Sequence, residues 1–443
     1  MCERFKNHPW IFHIPFSPPH IVINDPESIE HVLKTNFDNY IKGPYLNARF
    51  FDLLGSLNSH SLQLIQVGNG IFNADGEHWK IQRKTASNIF SVNNFKDFVS
   101  QVFRQEMDVF EKKLNEYAES GQIVDLQALF FKFTLDGFAK IGFNVDLNCM
   151  QQEESVPFAA AFDRCQGAIE YRFLSPLWRI VELCTPYGFR IKRDMALTRD
   201  FCNTLVKARV TSQEKSATSD LLTMFMKLKS ADGSPLYTEE ELASLVLNFI
   251  VAGRDTTAQA LSWTMYYLSK NPRVKQKLVE EIQSVLSDSD RPDYEQIKQL
   301  AYAKAVFMET LRLSPSVPKQ LKTAVADDIL PNGTHIPKGV NIVYTSYALG
   351  RSKEIWGDDA LEFKPERWLD VQKQPSQFQY LVFNAGPRVC LGKSLAEMEG
   401  VFILVSFLKK FDYDVVRPEM VHYANSLTLP MRDGLAVKIK KRG

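Results

Sequence analysis

Closely spaced cysteines are missing from this chain. Its six cysteines, Cys2, Cys149, Cys165, Cys184, Cys202 and Cys390, are scattered over 443 residues, and none stands at Cys-x-x-Cys spacing. That argues against a zinc ribbon or a redox dithiol, and no histidine cluster offers another zinc site. Scattered thiols read as free cysteines of a reducing compartment. Five are expected to be buried packing residues and one to be chemical. Long apolar runs are missing too. The longest, Val401 to Val405 with Phe407 and Leu408, falls far short of the roughly 18 residues of a membrane span. Met1 to His8 lacks a signal-peptide core. A net charge of +1 gives no electrostatic footprint for nucleic acid or an anionic surface. Without repeats, low-complexity tracts or a Pro/Gly/Ser-rich linker, the sequence predicts one domain over 1–443.

What is present is helical periodicity. The 31 phenylalanines suit a large apolar interior. Pro15, Pro18, Pro19 and Pro26 punctuate the start, with a strand over His20 to Asn24. Apolar residues three and four apart predict helices over His78 to Phe90, Asn94 to Tyr117 and Val124 to Phe143. Pro157 to Phe173 and Gly188 to Lys215 follow. Thr238, capping ahead of Glu239, Glu240 and Glu241, opens a helix running to Ser269. It spans about 32 residues, roughly 48 Å, and Leu245 to Ala252 is apolar on nearly every face. Tyr294 to Leu313 is predicted helical, stopped by Pro315. Strands are expected in Lys322 to Ile329 and Val340 to Tyr344, around a Pro331-Asn-Gly333 turn. A buried helix over Leu391 to Lys409 completes a mainly α chain with small β-sheets.

Four constellations carry chemistry. In Phe383-Asn-Ala-Gly-Pro-Arg-Val-Cys-Leu-Gly392, a Gly-Pro turn delivers Cys390 to the start of an apolar helix. Amides without internal partners and a positive dipole there favour a thiolate, a strong ligand for a soft or borderline metal. Gly386 and Gly392 would let backbone approach a flat cofactor. The plainer reading is a buried cysteine beside a helix start. Glu309 and Arg312, at i and i+3, share a helix face; they form either a surface ion pair or, with Arg367, a buried carboxylate–guanidinium network. Ala252-Gly-Arg-Asp-Thr-Thr257 places poor helix formers mid-way along the long apolar helix. An adjacent acid and alcohol, Asp255 and Thr256, can pass protons to a bound species; otherwise Arg254–Asp255 is a solvated step at a bend. Trp79 and Arg83, about one turn apart, can donate to one anion, or belong to an ordinary amphipathic helix.

In order and spacing, these pieces resemble the cytochrome P450 superfamily over nearly the whole chain. Its cysteine-loop pattern, Phe-x-x-Gly-x-Arg-x-Cys-x-Gly, is met at Phe383, Gly386, Arg388, Cys390 and Gly392. The resemblance implies a fold with haem b between the long central helix and the cysteine-loop helix. It implies Cys390 as the axial thiolate, with Phe383, Gly386 and Gly253 beside the cofactor and Trp79, Arg83 and Arg388 as propionate partners, with Lys322 as a further candidate. Asp255 and Thr256 match the acid–alcohol pair that hands on protons during oxygen activation. Glu309, Arg312 and Arg367 match a structural network behind the cysteine loop. O2 and NADPH-derived electrons, delivered by an NADPH–cytochrome P450 reductase or similar donor docking near Lys80, Lys84 and Lys393, would then serve monooxygenation.

Within the superfamily the chain is most similar to plant and fungal fatty-acid ω-hydroxylases. The matching pieces are Phe37-Asp-Asn-Tyr-Ile-Lys-Gly-Pro44, Gly70-Ile-Phe-Asn-Ala-Asp-Gly76, Ala252 to Thr257, Leu313-Ser-Pro-Ser-Val-Pro318, Asp328-Ile-Leu-Pro-Asn-Gly333 and Trp356-Gly-Asp-Asp359. This implies a fatty-acid substrate contacted by Phe249, Ala252, Val317 and Leu427, peripheral membrane contact, and the cytosolic face of the endoplasmic reticulum. Two departures are expected: a protein without the family's N-terminal anchor and proline hinge, and an insertion, Ser56 to Asn69, in a loop over the substrate. A haem-thiolate isomerase or dehydratase of fatty hydroperoxides is the competing enzyme, disfavoured by Asp255 and Thr256. An inactive haem-binding protein is the competing non-enzyme.

Overall fold

The computed structural model describes residues 8–54, 70–91, 93–153, 156–211, 220–230, 232–287, 289–424 and 426–442. Ser56 to Asn69 and Cys2 lie outside them. The chain forms two compact units, each built from discontinuous stretches. The first draws on Met1–Val102, Phe138–Ala252 and Gln320–Tyr344, the second on Phe103–Gly137, Gly253–Lys319 and Thr345–Gly443.

The first unit holds a five-stranded sheet in the order Trp10–Phe12, His20–Ile23, Asn341–Tyr344, Gln320–Ala324, Tyr40–Ile41. Its inner strand, His20–Ile23, is buried at every position and pairs in parallel with Asn341–Tyr344, as an unbroken apolar run buried on both faces should. Tyr40–Ile41 closes one edge, and Gly43 then turns the chain at φ +71°. A Cβ there would sit 2.7 Å from Thr323 Oγ1, so only glycine lets the strand and the helix Gly43–Leu54 meet. The stretch predicted as one strand, Lys322 to Ile329, is two: Gln320–Ala324, and Asp328–Ile329 paired with His335–Ile336 across the expected turn. The predicted helix at Gly188 begins earlier, as Pro186–Thr211, because proline is pre-set for a first helical position.

The second unit holds a three-stranded sheet, Ile123–Asp125, Ala436–Lys441, Phe411–Val415. The helix expected from Val124 starts instead at Leu126. Asp125 Oδ1 accepts from the amides of Gln127, Ala128 and Leu435, capping that helix while binding it to the sheet. The helix expected over Tyr294 to Leu313 breaks at Leu300 into Tyr294–Gln299 and Ala301–Leu313. The cause is tertiary: the Glu281 carboxylate caps the amides of Tyr302 and Ala303 at 2.7 and 2.8 Å.

The long helix, Glu239–Lys270, has 32 residues as expected. It opens on a reciprocal cap, with Glu241 Oε2 accepting from the Thr238 amide and Thr238 Oγ1 from the Glu241 amide. The last helix, Lys393–Lys410, is buried at every position from Glu399 to Leu408. Among the described residues no helix is long and apolar enough to cross a membrane.

Candidate functional site

The cysteine loop is built from two 3-10 turns, Leu381–Phe383 and Gly386–Arg388. Left-handed backbone at Asn384 (φ 57°) and Gly386 (φ 64°) reverses the chain between them. The Cys390 amide donates to the Phe383 carbonyl at 2.7 Å, and the Val389 amide to Gly386 at 3.0 Å. Folded on itself this way, the loop presents the Cys390 side chain outward, and it is exposed. Ala385 is fully buried beneath, while Phe383, Gly386 and Arg388 are half-buried. Gly392 then caps the helix Lys393–Lys410, its carbonyl accepting from Ala396 at 2.8 Å. Cys390 thus stands two residues ahead of that cap, beside first-turn amides and the positive end of the dipole.

The other thiols differ. Cys149, Cys165 and Cys202 are buried, and burial pushes the Cys165 thiol up to about 12 and raises Cys202 as well. Cys184 corrects the expectation of a buried packing residue: it is exposed. It ends the short helix Trp178–Cys184, where Leu177, Ile180 and Leu183 are exposed as well. Among the described residues no three His, Cys, Asp or Glu side chains gather as a metal-binding set. One accessible thiol at a helix start therefore fits an iron whose other ligands belong to a macrocycle.

Behind the loop lies a buried charge network. Glu309 Oε1 accepts from Arg312 Nη2 (2.8 Å), Arg367 Nε (3.0 Å) and the Lys364 amide (2.8 Å). Glu309 Oε2 accepts from Arg312 Nε (2.8 Å) and Trp368 Nε1 (2.9 Å). Glu309 and Arg312 are fully buried, so the surface ion pair is excluded. Arg312 also donates to the carbonyls of Gly350, Ala360 and Glu362. Trp368 packs edge-on against Tyr380 at 4.6 Å, and Tyr380 donates to the Met308 carbonyl. The network is thereby tied to the residue just ahead of the cysteine loop. A Cβ on Gly400 would lie 2.4 Å from the Phe307 ring, so glycine is needed where these two helices touch.

Mid-way along the long helix, Arg254 and Asp255 are both buried and paired at 2.9 Å. The solvated-step alternative is therefore replaced by a buried ion pair, with the Arg254 guanidinium 4.7 Å above the Phe131 ring. Two carbonyls of this turn accept hydroxyls from neighbouring segments: Arg254 from Thr134 and Thr256 from Ser316, each at 2.8 Å. Gly253 and Thr257 are buried, whereas Thr256 is half-buried. Thr257 Oγ1 donates to Glu399 Oε2 at 3.3 Å.

Glu399 was not anticipated from the sequence. It is buried, its Oε1 has no partner among the described residues, and burial holds its carboxyl well above the usual range against the opposing Thr257 bond. The available signal was its place one turn before Phe402 and Ile403, on their face of an apolar helix.

In the first unit, Trp79 is buried and Arg83 half-buried on the helix Gly76–Ser91. Trp79 and the buried Lys322 both meet Phe37, ring to ring at 5.6 Å and ammonium over ring at 5.3 Å. Phe249 lies between Phe90 and Phe225 at 5.8 Å from each, lining an apolar cavity with Leu245 and Val246. Phe249, Ala252, Val317 and Leu427 are all half-buried.

The sequence profile described as Cytochrome P450 matches residues 8–435. The chain belongs to the cytochrome P450 family. It is 37% identical over 95% of its length to "Cytochrome P450 monooxygenase cyp1" of Mycosarcoma maydis, covering 68% of that protein. It is 35% identical over 95% to "Cytochrome P450 CYP94D109" of Paris polyphylla, covering 85%. It is 34% identical over 97% to "Cytochrome P450 704B1" of Arabidopsis thaliana, covering 88%. P450 chemistry is monooxygenation at a haem iron, using O2 and electrons from a redox partner on lipophilic substrates.

Proposed function

We propose that this P450 hydroxylates fatty acids, with Cys390 as the axial ligand of haem b. The observation that carries the ligand assignment is the exposed Cys390 thiol, held by a self-bonded loop at a helix start while Cys149, Cys165 and Cys202 are buried. Phe383, Gly386, Gly253 and Arg388 are assigned to the haem surroundings, and Trp79 and Arg83 to its propionates. Bound haem supplies oxygen activation, strengthened by the thiolate's electron donation.

The chain's own residues do the rest. Thr256, the half-buried alcohol of its turn, moves protons to the reaction site, and Arg254 orients Asp255 beside it. Ser316 fixes the Thr256 carbonyl. Phe249, Ala252, Val317 and Leu427, each partly accessible, are assigned to contacts with the acyl chain. The two units are read as one P450 domain, because the family match runs through both.

NADPH–cytochrome P450 reductase is the proposed electron donor, with the exposed Lys80, Lys84 and Lys393 as docking charges. Peripheral membrane contact is supported by exposed Leu174, Leu177, Ile180, Leu183 and Phe189, flanked by exposed Arg179, Arg190 and Arg193, and the cytosolic face of the endoplasmic reticulum is the membrane proposed by family resemblance. The test is turnover with reductase, NADPH and 18O2 on saturated fatty acids. One labelled oxygen per hydroxy acid is expected. Turnover of fatty hydroperoxides without NADPH, and none of fatty acids with it, overturns the reading.

A further inference from the structure

A buried arginine without a carboxylate partner sits on the helix Gly43–Leu54. Arg49 is 8% exposed. It donates from Nε to the Arg172 carbonyl at 3.1 Å and from Nη1 to the Tyr45 carbonyl at 2.8 Å. Its Nη2 makes no hydrogen bond among the described residues, and no carboxylate oxygen among them lies in ion-pair range. The nearest acids are taken. Arg172 holds Glu182 through Nε and Nη2, and Asp52 through Nη2, each at 2.7 Å. Burial depresses the basicity of Arg49 most, Tyr45 opposes that, and the nearby charges of Arg179 and Arg172 lower it further. Buried charges are ordinarily paired, because an uncompensated one costs several kcal/mol.

Arg49 Nη2 is not among the fully buried atoms left without a partner, but a buried orphan lies beside it. The Arg49 guanidinium stacks 3.4 Å over the Tyr45 ring, and the Tyr45 hydroxyl is buried with no partner among the described residues. His20, edge-on to Tyr45 at 5.1 Å, supplies no negative charge, and burial and Arg49 push its pKa down to about 4, so it adds no positive charge at pH 7. The surroundings are otherwise aromatic, with Phe173 against both Tyr45 and Phe50. A cation, a hydroxyl donor and apolar walls match an anionic head on a hydrocarbon tail.

We propose that Arg49 and Tyr45 bind the carboxylate of the fatty-acid substrate, which rests on the fatty-acid reading above. The test is calorimetric titration of the haem-loaded protein with dodecanoic acid and with its methyl ester. The acid should bind more tightly than the ester. Arg49→Gln should weaken the acid about ten- to hundred-fold and leave the ester within about twofold, as expected for one charge-assisted hydrogen bond. Tyr45→Phe, a milder change to the fold, should weaken the acid about three- to tenfold with the ester unchanged. Equal binding of acid and ester in the parent and both variants overturns the anchor but keeps the acyl-chain site. Failure of the parent protein to bind either ligand overturns the fatty-acid reading, and the anchor with it.

Discussion

Replacing Glu309 by Gln tests the buried network with almost no change of shape. The carboxylate accepts five hydrogen bonds, three on Oε1 and two on Oε2. An amide can offer only one oxygen. Placed with its oxygen toward Arg312 Nη2, Arg367 and Lys364, it turns an NH2 group toward Arg312 Nε and Trp368 Nε1, two donors that then face a donor. Each buried donor left unmade costs about 1–3 kcal/mol, so this orientation loses about 2–6 kcal/mol and the flipped one more. Removing one member of a buried ion pair independently suggests about 3–5 kcal/mol, and Arg312 is fully buried. Against typical stabilities of about 5–15 kcal/mol, that is a large share. Urea unfolding should show the midpoint falling accordingly with an unchanged slope. The Cys390 loop should also release haem faster, because Tyr380 leans on Trp368. A loss below about 1 kcal/mol would refute the view that Glu309 neutralises two guanidiniums in a dry interior.

Two further outcomes follow from the long helix and from Glu399 of the last helix, which meets it at Thr257. Glu399 has a carboxyl pKa raised far above its unfolded value of about 4.5, so its contribution to stability is most favourable below that pH and is lost as pH rises. The loss has a slope of up to about 1.4 kcal/mol per unit. Glu399→Gln should therefore raise the melting temperature at pH 8 more than at pH 5; equal shifts at both would contradict a neutral buried acid. Thr256→Ala should preserve haem binding while NADPH consumption runs ahead of hydroxylation, read as the ratio of product to NADPH; unchanged coupling removes the proton-delivery role.

The local features of the fold could be read in advance. Helix periods, the Thr238 cap, the turn at Gly333 and the cysteine loop all depend on residues close in sequence. Features supplied by distant partners could not. Leu300 interrupts a helix because Glu281 caps the next one. Glu309 and Arg312, met alone, read as a surface pair, because the decision depends on Trp368, Arg367 and the Lys364 amide. Glu399 and Arg49 put ionisable groups into the interior, where residue type alone argues for the surface.

The most direct measurement is the absorbance of the haem-supplemented ferrous protein under carbon monoxide. Thiolate ligation by Cys390 predicts a Soret band at about 450 nm, absent in Cys390→Ala. A band at about 420 nm in the parent protein, or one at about 450 nm that survives in Cys390→Ala, would contradict the assignment of that sulfur to iron.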